Sequence, residues 1–235
     1  MTEITRLDEA TVSKIAAGEV VERPASVVKE LLENSLDADA ERVAVTVEDG
    51  GRSLIRVRDD GQGMTEDGVK RAVEQHTTSK IGSIEDLEAG VGTLGFRGEA
   101  LHTIGAVSRT TIETRPRDGA DVGTELRIEG GEVTDLAPTG RAPGTTVTVR
   151  DLFFNTPARR KYLKREATEF GHVNRVVSRY ALANPDVAVS LTHGDNEVFA
   201  TPGQGDRREA VLSVYGREVA ESMIEVEAAP EGPVD

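Results

Sequence analysis

The sequence predicts an α+β fold, a two-layer sandwich in which a mostly antiparallel mixed sheet carries helices on one face. Three observations predict it. An amphipathic helical stretch near residue 24 runs directly into a tight hairpin. A glycine-studded interval follows between residues 76 and 98. The strands then return as hairpin-linked runs instead of alternating one-for-one with helices, the order expected of helices segregated onto one side of a sheet.

Asp8 to Ala17 reads as a short helix with Asp8 as cap and Gly18 as terminator. Pro24 suits a first helical position, and the helix it opens runs to about Leu36, burying a stripe of Val27, Val28, Leu31, Leu32, Ser35 and Leu36. Strands Val43 to Glu48 and Leu54 to Asp59 follow, joined by the turn Asp49-Gly50-Gly51-Arg52. Thr65 to Gln75 reads as helix, and Ile84 to Leu87 as an amphipathic scrap inside the irregular interval. Glu99 to Ile104 is expected to be helical, with strands near Ser108 to Thr114, Thr124 to Glu129, Glu132 to Leu136 and Thr145 to Arg150. Thr156-Pro157 opens another helix, and Glu169 to Ala183 forms a longer one. Val187 to Thr192 and Glu197 to Ala200 pair around His193-Gly194-Asp195-Asn196. Pro202 to Gly205 looks like a linker, followed by a helix from Asp206 to Tyr215 closed by Gly216, and a strand from Glu218 to Val226. The expected organisation is one domain over residues 1–201 and the start of a truncated second domain over 202–235.

Composition narrows the function classes. No apolar run approaches the ~20 residues a membrane span needs, and Met1 to Asp8 lacks the pattern of a signal peptide. Without cysteine there is neither disulfide nor thiolate metal site, and His76, His102, His172 and His193 lack metal-ligand spacing. A cytoplasmic setting is the expectation. The net charge of −14, with 42 acidic residues and few lysines, disfavours broad non-specific DNA binding at low salt. It also suits a protein of a halophile, where concentrated salt screens the repulsion.

Glu30, Asn34 and Asp37 are spaced i, i+4, i+7 and share one face of their helix, opposite the Val/Leu stripe. Asn34 offers a neutral oxygen to a hard cation, and Glu30 could deprotonate a water beside it; a plain solvated face is the alternative. In Leu54 to Asp59, alternation puts Asp59 in register with Ile55 and Val57, a costly place for a carboxylate unless something satisfies it. Asp60-Gly61-Gln62-Gly63 follows, so Asp59 could read an exocyclic amine beside a turn that allows close backbone approach, or simply cap that turn. Thr78-Ser79-Lys80 supplies donors for phosphate oxygens. Gly95-Phe96-Arg97-Gly98 opens the helix of Glu99-Ala100-Leu101, whose first N–H groups would face an anion. Gly90 to Gly95 matches the dinucleotide fingerprint only literally, since no buried strand precedes it. No Gly-x-x-x-x-Gly-Lys-Ser/Thr run exists, and the glycines fit hinges of a lid.

Taken together, these stretches resemble the four motifs of the ATPase superfamily shared by gyrase B subunits, ninety-kilodalton heat-shock chaperones, histidine kinases and MutL. Glu30-x-x-x-Asn34 resembles the first, Asp59-x-Gly61-x-Gly63 the second, the glycine lid the third and Gly144-Thr145 the fourth. Longer strings point to the MutL mismatch repair family: IAAGEVVERPASVVKELLENSLDA from Ile15 to Ala38, TLGFRGEAL from Thr93 to Leu101, and DLFFNTPARRKYL from Asp151 to Leu163. The similarity runs to about Gly194. It implies a Bergerat-type ATP-binding fold, with ATP and Mg²⁺ as cofactors and a transducer-like second domain beginning at 202. Glu30 would be the general base and Asn34 the Mg²⁺ ligand. Asp59 would take the adenine amine, with Asp37, Ala38, Gly61, Gly63, Met64 and Thr145 around the nucleotide. Thr78, Ser79, Lys80, Gly95, Phe96, Arg97, Gly98, Glu99, Ala100 and Leu101 would surround the phosphates.

The implied activity is slow Mg-dependent ATP hydrolysis, with lid closure and homodimerisation coupling a MutS-type mismatch recognition protein to later repair steps. A nucleotide-gated scaffold with negligible turnover is the alternative. Asp60 stands where many relatives carry Asn and reads as a surface change. Family members bring a γ-phosphate lysine from a following domain, a stretch not found here; nor is the endonuclease motif of some relatives. The basic cluster Arg159, Arg160, Lys161, Lys164 and Arg165 offers weak DNA contact or, equally, local pairing with Glu166 and Glu169.

Overall fold

The computed structural model describes residues 21–74 and 99–224. The expected helix at Asp8 to Ala17 and the scrap at Ile84 to Leu87 lie outside them. The elements are α1 (Pro24–Asp37), β1 (Arg42–Glu48), a 3₁₀ turn at Asp49–Gly51, β2 (Leu54–Asp59), α2 (Glu66–Ala72), α3 (Ala100–Ala106), β3 (Arg109–Arg115), β4 (Gly123–Glu129), β5 (Glu132–Thr139), β6 (Gly144–Arg150), α4 (Pro157–Tyr162), α5 (Glu166–Ala183), β7 (Ala188–His193), β8 (Asn196–Ala200), α6 (Arg207–Tyr215) and α7 (Arg217–Ser222).

The strands form a single sheet in the order β5-β4-β3-β6-β2-β1-β7-β8. All its neighbours are antiparallel except β1 and β7, which pair in parallel although five strands separate them in the chain. Register explains the core. Leu126, Ile112, Val147, Val57, Val45 and Leu191 lie opposite one another across six strands, and all are buried. A second row adds Ile128, Thr110, Val149, Ile55 and Val47. The alternate positions of β2, Arg56 and Arg58, are exposed, so one face of this strand is apolar and the other meets solvent. Onto the apolar face pack Val27, Val28, Leu31 and Leu32 of α1, and Val173, Val177 and Ala181 of α5.

Most element boundaries shift by one to three residues from the sequence expectation. Thr65 caps α2 from outside, its hydroxyl accepting from the Gly68 N–H at 3.1 Å. The long helix begins at Glu166 rather than Glu169. One element changes type. The strand expected from Glu218 to Val226 is, as far as it is described, the helix α7 from Arg217 to Ser222. Gly216, at φ 81°, ends α6 and turns the chain, and among the described residues no strand pairs with 217–222. The helix formers Arg-Glu-Val-Ala-Glu then prevail over a short apparent alternation.

Candidate functional site

At one end of the sheet the apolar rows give way to polar residues. Thr124, Thr114 and Thr145 lie opposite one another on β4, β3 and β6, and the last residue of β2, Asp59, is beside them. Asp59 is 8 % exposed. Its Oδ1 accepts from the N–H of Gly61 and from the N–H of Thr145, each at 3.0 Å. The Ser35 hydroxyl lies 3.1 Å from Oδ2 and 3.0 Å from the Leu31 carbonyl. A hydroxyl has one proton, so it serves one of these acceptors at a time, and Oδ2 keeps lone-pair capacity to spare. Burial pushes the Asp59 carboxyl above the usual carboxylate range, against the pull of Gly61, Thr145, Ser35 and the Arg141 guanidinium. Arg141 is itself lowered by burial, which outweighs its attraction to Asp59 and Glu113.

Backbone packing holds this carboxylate in place. Gly144 has φ +111°, and a Cβ there would sit 2.3 Å from the Asp59 carbonyl oxygen. Gly63 has φ +66°, and a Cβ there would meet the Arg115 carbonyl oxygen at 1.9 Å. Only glycine permits either approach. The Gln62 N–H donates to the Ala38 carbonyl at 2.8 Å, closing the turn onto the end of α1. The Met64 N–H donates to the Thr114 hydroxyl at 2.8 Å, which lies 3.1 Å from the Thr145 hydroxyl. Ala38, Asp59, Gly61, Gly63, Met64 and Thr145 are therefore one cluster, as the sequence motifs require.

Along α1 the picture loosens. Glu30, Asn34, Asp37 and Ala38 are all half-buried. Lys29 reaches Glu30 at 3.5 Å but Glu33 at 2.8 Å. Burial opposes the Lys29 charge, yet the pairing with Glu33 and Glu30 outweighs it and holds the ammonium above its usual value. Glu33 is buried and also accepts from the Tyr180 hydroxyl of α5. Burial, and then this bond, raise the Tyr180 pKa. Asn34 supplies the neutral amide oxygen that suits a Mg²⁺ completed by phosphate and water. Beyond α1, Glu99 precedes α3 while Ala100 and Leu101 open it, all three half-buried. Thr78, Ser79, Lys80, Gly95, Phe96, Arg97 and Gly98 lie outside the described residues.

Several residues that sequence reasoning passed over belong to this site. Ser35 was placed on the buried stripe without its partner Asp59; a hydroxyl in register with Val28 and Leu31 was the available signal. Asp60 does more than decorate the surface, because its Oδ1 accepts from the N–H groups of Glu41 and Arg42 at 2.9 and 2.8 Å. In the basic cluster, Arg160, Lys161, Lys164 and Arg165 are exposed. Of the two expected local partners, Glu169 accepts from the backbone N–H of Lys164, itself a member of the cluster, at 2.8 Å, and Glu166 lies 3.3 Å from His193.

Most of the chain that builds this site matches a known ATPase class. The family model described as histidine kinase-, DNA gyrase B-, and HSP90-like ATPase matches residues 22–129. Within that class, the DNA mismatch repair protein MutL of Halobacterium salinarum is 63% identical over 227 residues, 97% of this chain and 34% of that protein. MutL of Symbiobacterium thermophilum is 53% identical over 97% of this chain and 35% of its own length. Among solved structures, the Aquifex aeolicus MutL ATPase domain complexed with ADP superposes with a TM-score of 0.66 at 36% identity, covering 83% of this chain and 70% of that one. This chain belongs to the MutL family and carries its ATPase domain. It spans about a third of the length of the curated relatives it matches, and the similarity continues well beyond Gly194.

Proposed function

We propose that this chain binds ATP with Mg²⁺ and hydrolyses it slowly, as the nucleotide-driven part of a MutL-type mismatch repair protein. The observation that carries the reading is the buried Asp59 carboxylate, with Oδ1 saturated by two backbone N–H groups and Oδ2 able to accept from an adenine amine. Ala38, Gly61, Gly63, Met64 and Thr145 would line the adenine end, with Asp37 nearby. Asn34 would hold Mg²⁺, and Glu30 would take the proton of the attacking water. Thr78, Ser79, Lys80 and the stretch from Gly95 to Leu101 would surround the phosphates. Bound Mg²⁺ would neutralise charge on the phosphate oxygens, leaving the protein to position and deprotonate.

Residues 1–201 would form the ATPase domain and 202–235 the start of a transducer-like domain. In the whole protein, ATP would close the lid and favour a homodimer that couples a MutS-type partner to later repair. The exposed residues Arg160, Lys161, Lys164 and Arg165 would give weak DNA contact. No described helix is long and apolar enough to cross a membrane, and a cytoplasmic setting is part of this reading. The net charge of −14 and a 63%-identical relative from Halobacterium salinarum support adaptation to high salt.

The loose 3.5 Å contact between Lys29 and Glu30 favours a second reading, a nucleotide-gated scaffold whose base is not yet aimed. Phosphate release by wild type and Glu30→Ala separates the two. A positioned base is worth about 10²–10⁴ in rate, so the variant is expected to bind ATP while its turnover falls by that factor. Equal turnover in the two proteins would remove Glu30 from the mechanism, and binding without any wild-type turnover would favour the scaffold.

A further inference from the structure

Three chain segments meet on the outer side of the Asp59 turn. The first is the loop after α1, where Asp39 adopts φ 53°, a left-handed conformation uncommon outside glycine. The second is the turn Asp60 to Gly63. The third is the chain leaving β3 at Arg115 to Arg117, whose backbone packs against Gly63. Arg117 spans all of them. Its N–H donates to the Gln62 carbonyl at 2.8 Å, and its Nη2 donates to the Asp60 carbonyl at 2.9 Å and the Asp39 carbonyl at 3.4 Å. The Gln62 amide completes the set, its Nε2 donating to Asp39 Oδ2 at 2.6 Å.

We infer that Arg117, with Gln62 and Asp39, is a clamp that positions the Asp59–Gly63 turn against the end of α1 and so sets nucleotide affinity from outside the pocket. The inference rests on the nucleotide-site reading above. Gly61 and Gly63 gain their close approaches at the expense of side chains that could lock the turn from within. The turn must therefore be braced from without, and a charged donor bridging two carbonyls is a strong brace. If the turn shifts, the Gly61 N–H leaves Asp59 Oδ1, and the carboxylate loses the orientation that presents Oδ2 to adenine. The Arg117 side chain bonds to the Asp39 and Asp60 carbonyls on the outer side of the turn, so its effect should fall on affinity and leave the chemical step alone.

The test is calorimetric titration of ATP·Mg²⁺ into wild type, Arg117→Ala, Arg117→Lys and Asp59→Asn, with hydrogen exchange read at residues 60–64. Losing the side-chain bonds is expected to raise Kd by about 3–10-fold. Turnover at saturating ATP should not change, and exchange should quicken at 60–64 but not in β1 or β2. Arg117→Lys should fall between Ala and wild type. Gln62→Ala, which removes only the link to Asp39, should move Kd the same way by less and serves if Arg117→Ala fails to fold. Wild-type Kd and exchange in both Arg117→Ala and Gln62→Ala would overturn the clamp, as would a fall in saturating turnover without a change in Kd. A wild type that binds no ATP, or an Asp59→Asn that binds normally, would overturn the site reading beneath it.

Discussion

The two ends of the candidate site are built differently. At the proposed adenine end, Asp59 is buried and bonded to Gly61, Thr145 and Ser35, and two glycines admit backbone contacts closed to any other residue. Along α1, Glu30, Asn34 and Asp37 stay half-buried, and Lys29 approaches Glu30 no closer than 3.5 Å. On the proposed reading, recognition is preformed by the sheet, whereas Glu30 and Asn34 would act from a half-buried helix face. Fold and binding are coupled at the first end and separable at the second.

Substitutions should divide along that line. The largest effect belongs to Glu30→Ala, with its loss of about 10²–10⁴ in turnover and an unchanged melting temperature. A large fall in stability there would blur the contrast. Gly63→Ala should do the reverse, costing about 3 kcal/mol or more of stability and ATP binding with it, since the new methyl must displace the Arg115 backbone; denaturant unfolding measures the cost. Asp59→Asn is the sharpest case. Its amide oxygen can accept from Gly61 and Thr145 while its NH₂ donates to Ser35, whose proton turns to Leu31, so the fold should keep every bond.

Because burial raises the Asp59 pKa above 3.8, the folded chain holds that proton more tightly than the unfolded one. Wild-type stability attributable to this group therefore declines as pH rises from 3.8 through the raised value and is constant above it. Asp59→Asn should match wild type at the acid end and surpass it near neutrality, as melting curves across that range would record. An advantage that shrinks with rising pH would contradict the assigned cause. Ser35→Ala should raise the Asp59 pKa further and weaken ATP binding by a few-fold, about 1 kcal/mol. Tyr180→Phe is the smallest. It should cost about 1 kcal/mol of stability by removing a bond to Glu33, and leave the ATP Kd where it was.

The same division governs what could be read in advance. Asp59 is legible because β alternation puts a carboxylate in an apolar register, and Gly61 and Gly63 because two glycines in a turn allow close backbone approach; Gly144 is singled out only by its resemblance to the fourth motif. The sheet followed from hairpins whose strands alternate cleanly. Ser35, Arg117 and Arg141 were not visible, because their partners lie 24 or more positions away and only the folded register brings them together. The Glu33–Tyr180 bond, 147 positions apart, is the extreme case. The misread strand at Glu218 has the same origin: a short alternation becomes a strand only if another strand is there to pair with it, and none is among the described residues.

On the proposed reading, adenine is read by Asp59 at a site that the sheet preforms. Titrating ATP·Mg²⁺ into wild type and Asp59→Asn in high salt tests it most directly. Wild type is expected to bind and the variant, folded and no less stable, not to, because its NH₂ would face the adenine amine donor to donor. Equal binding by the two proteins would contradict it.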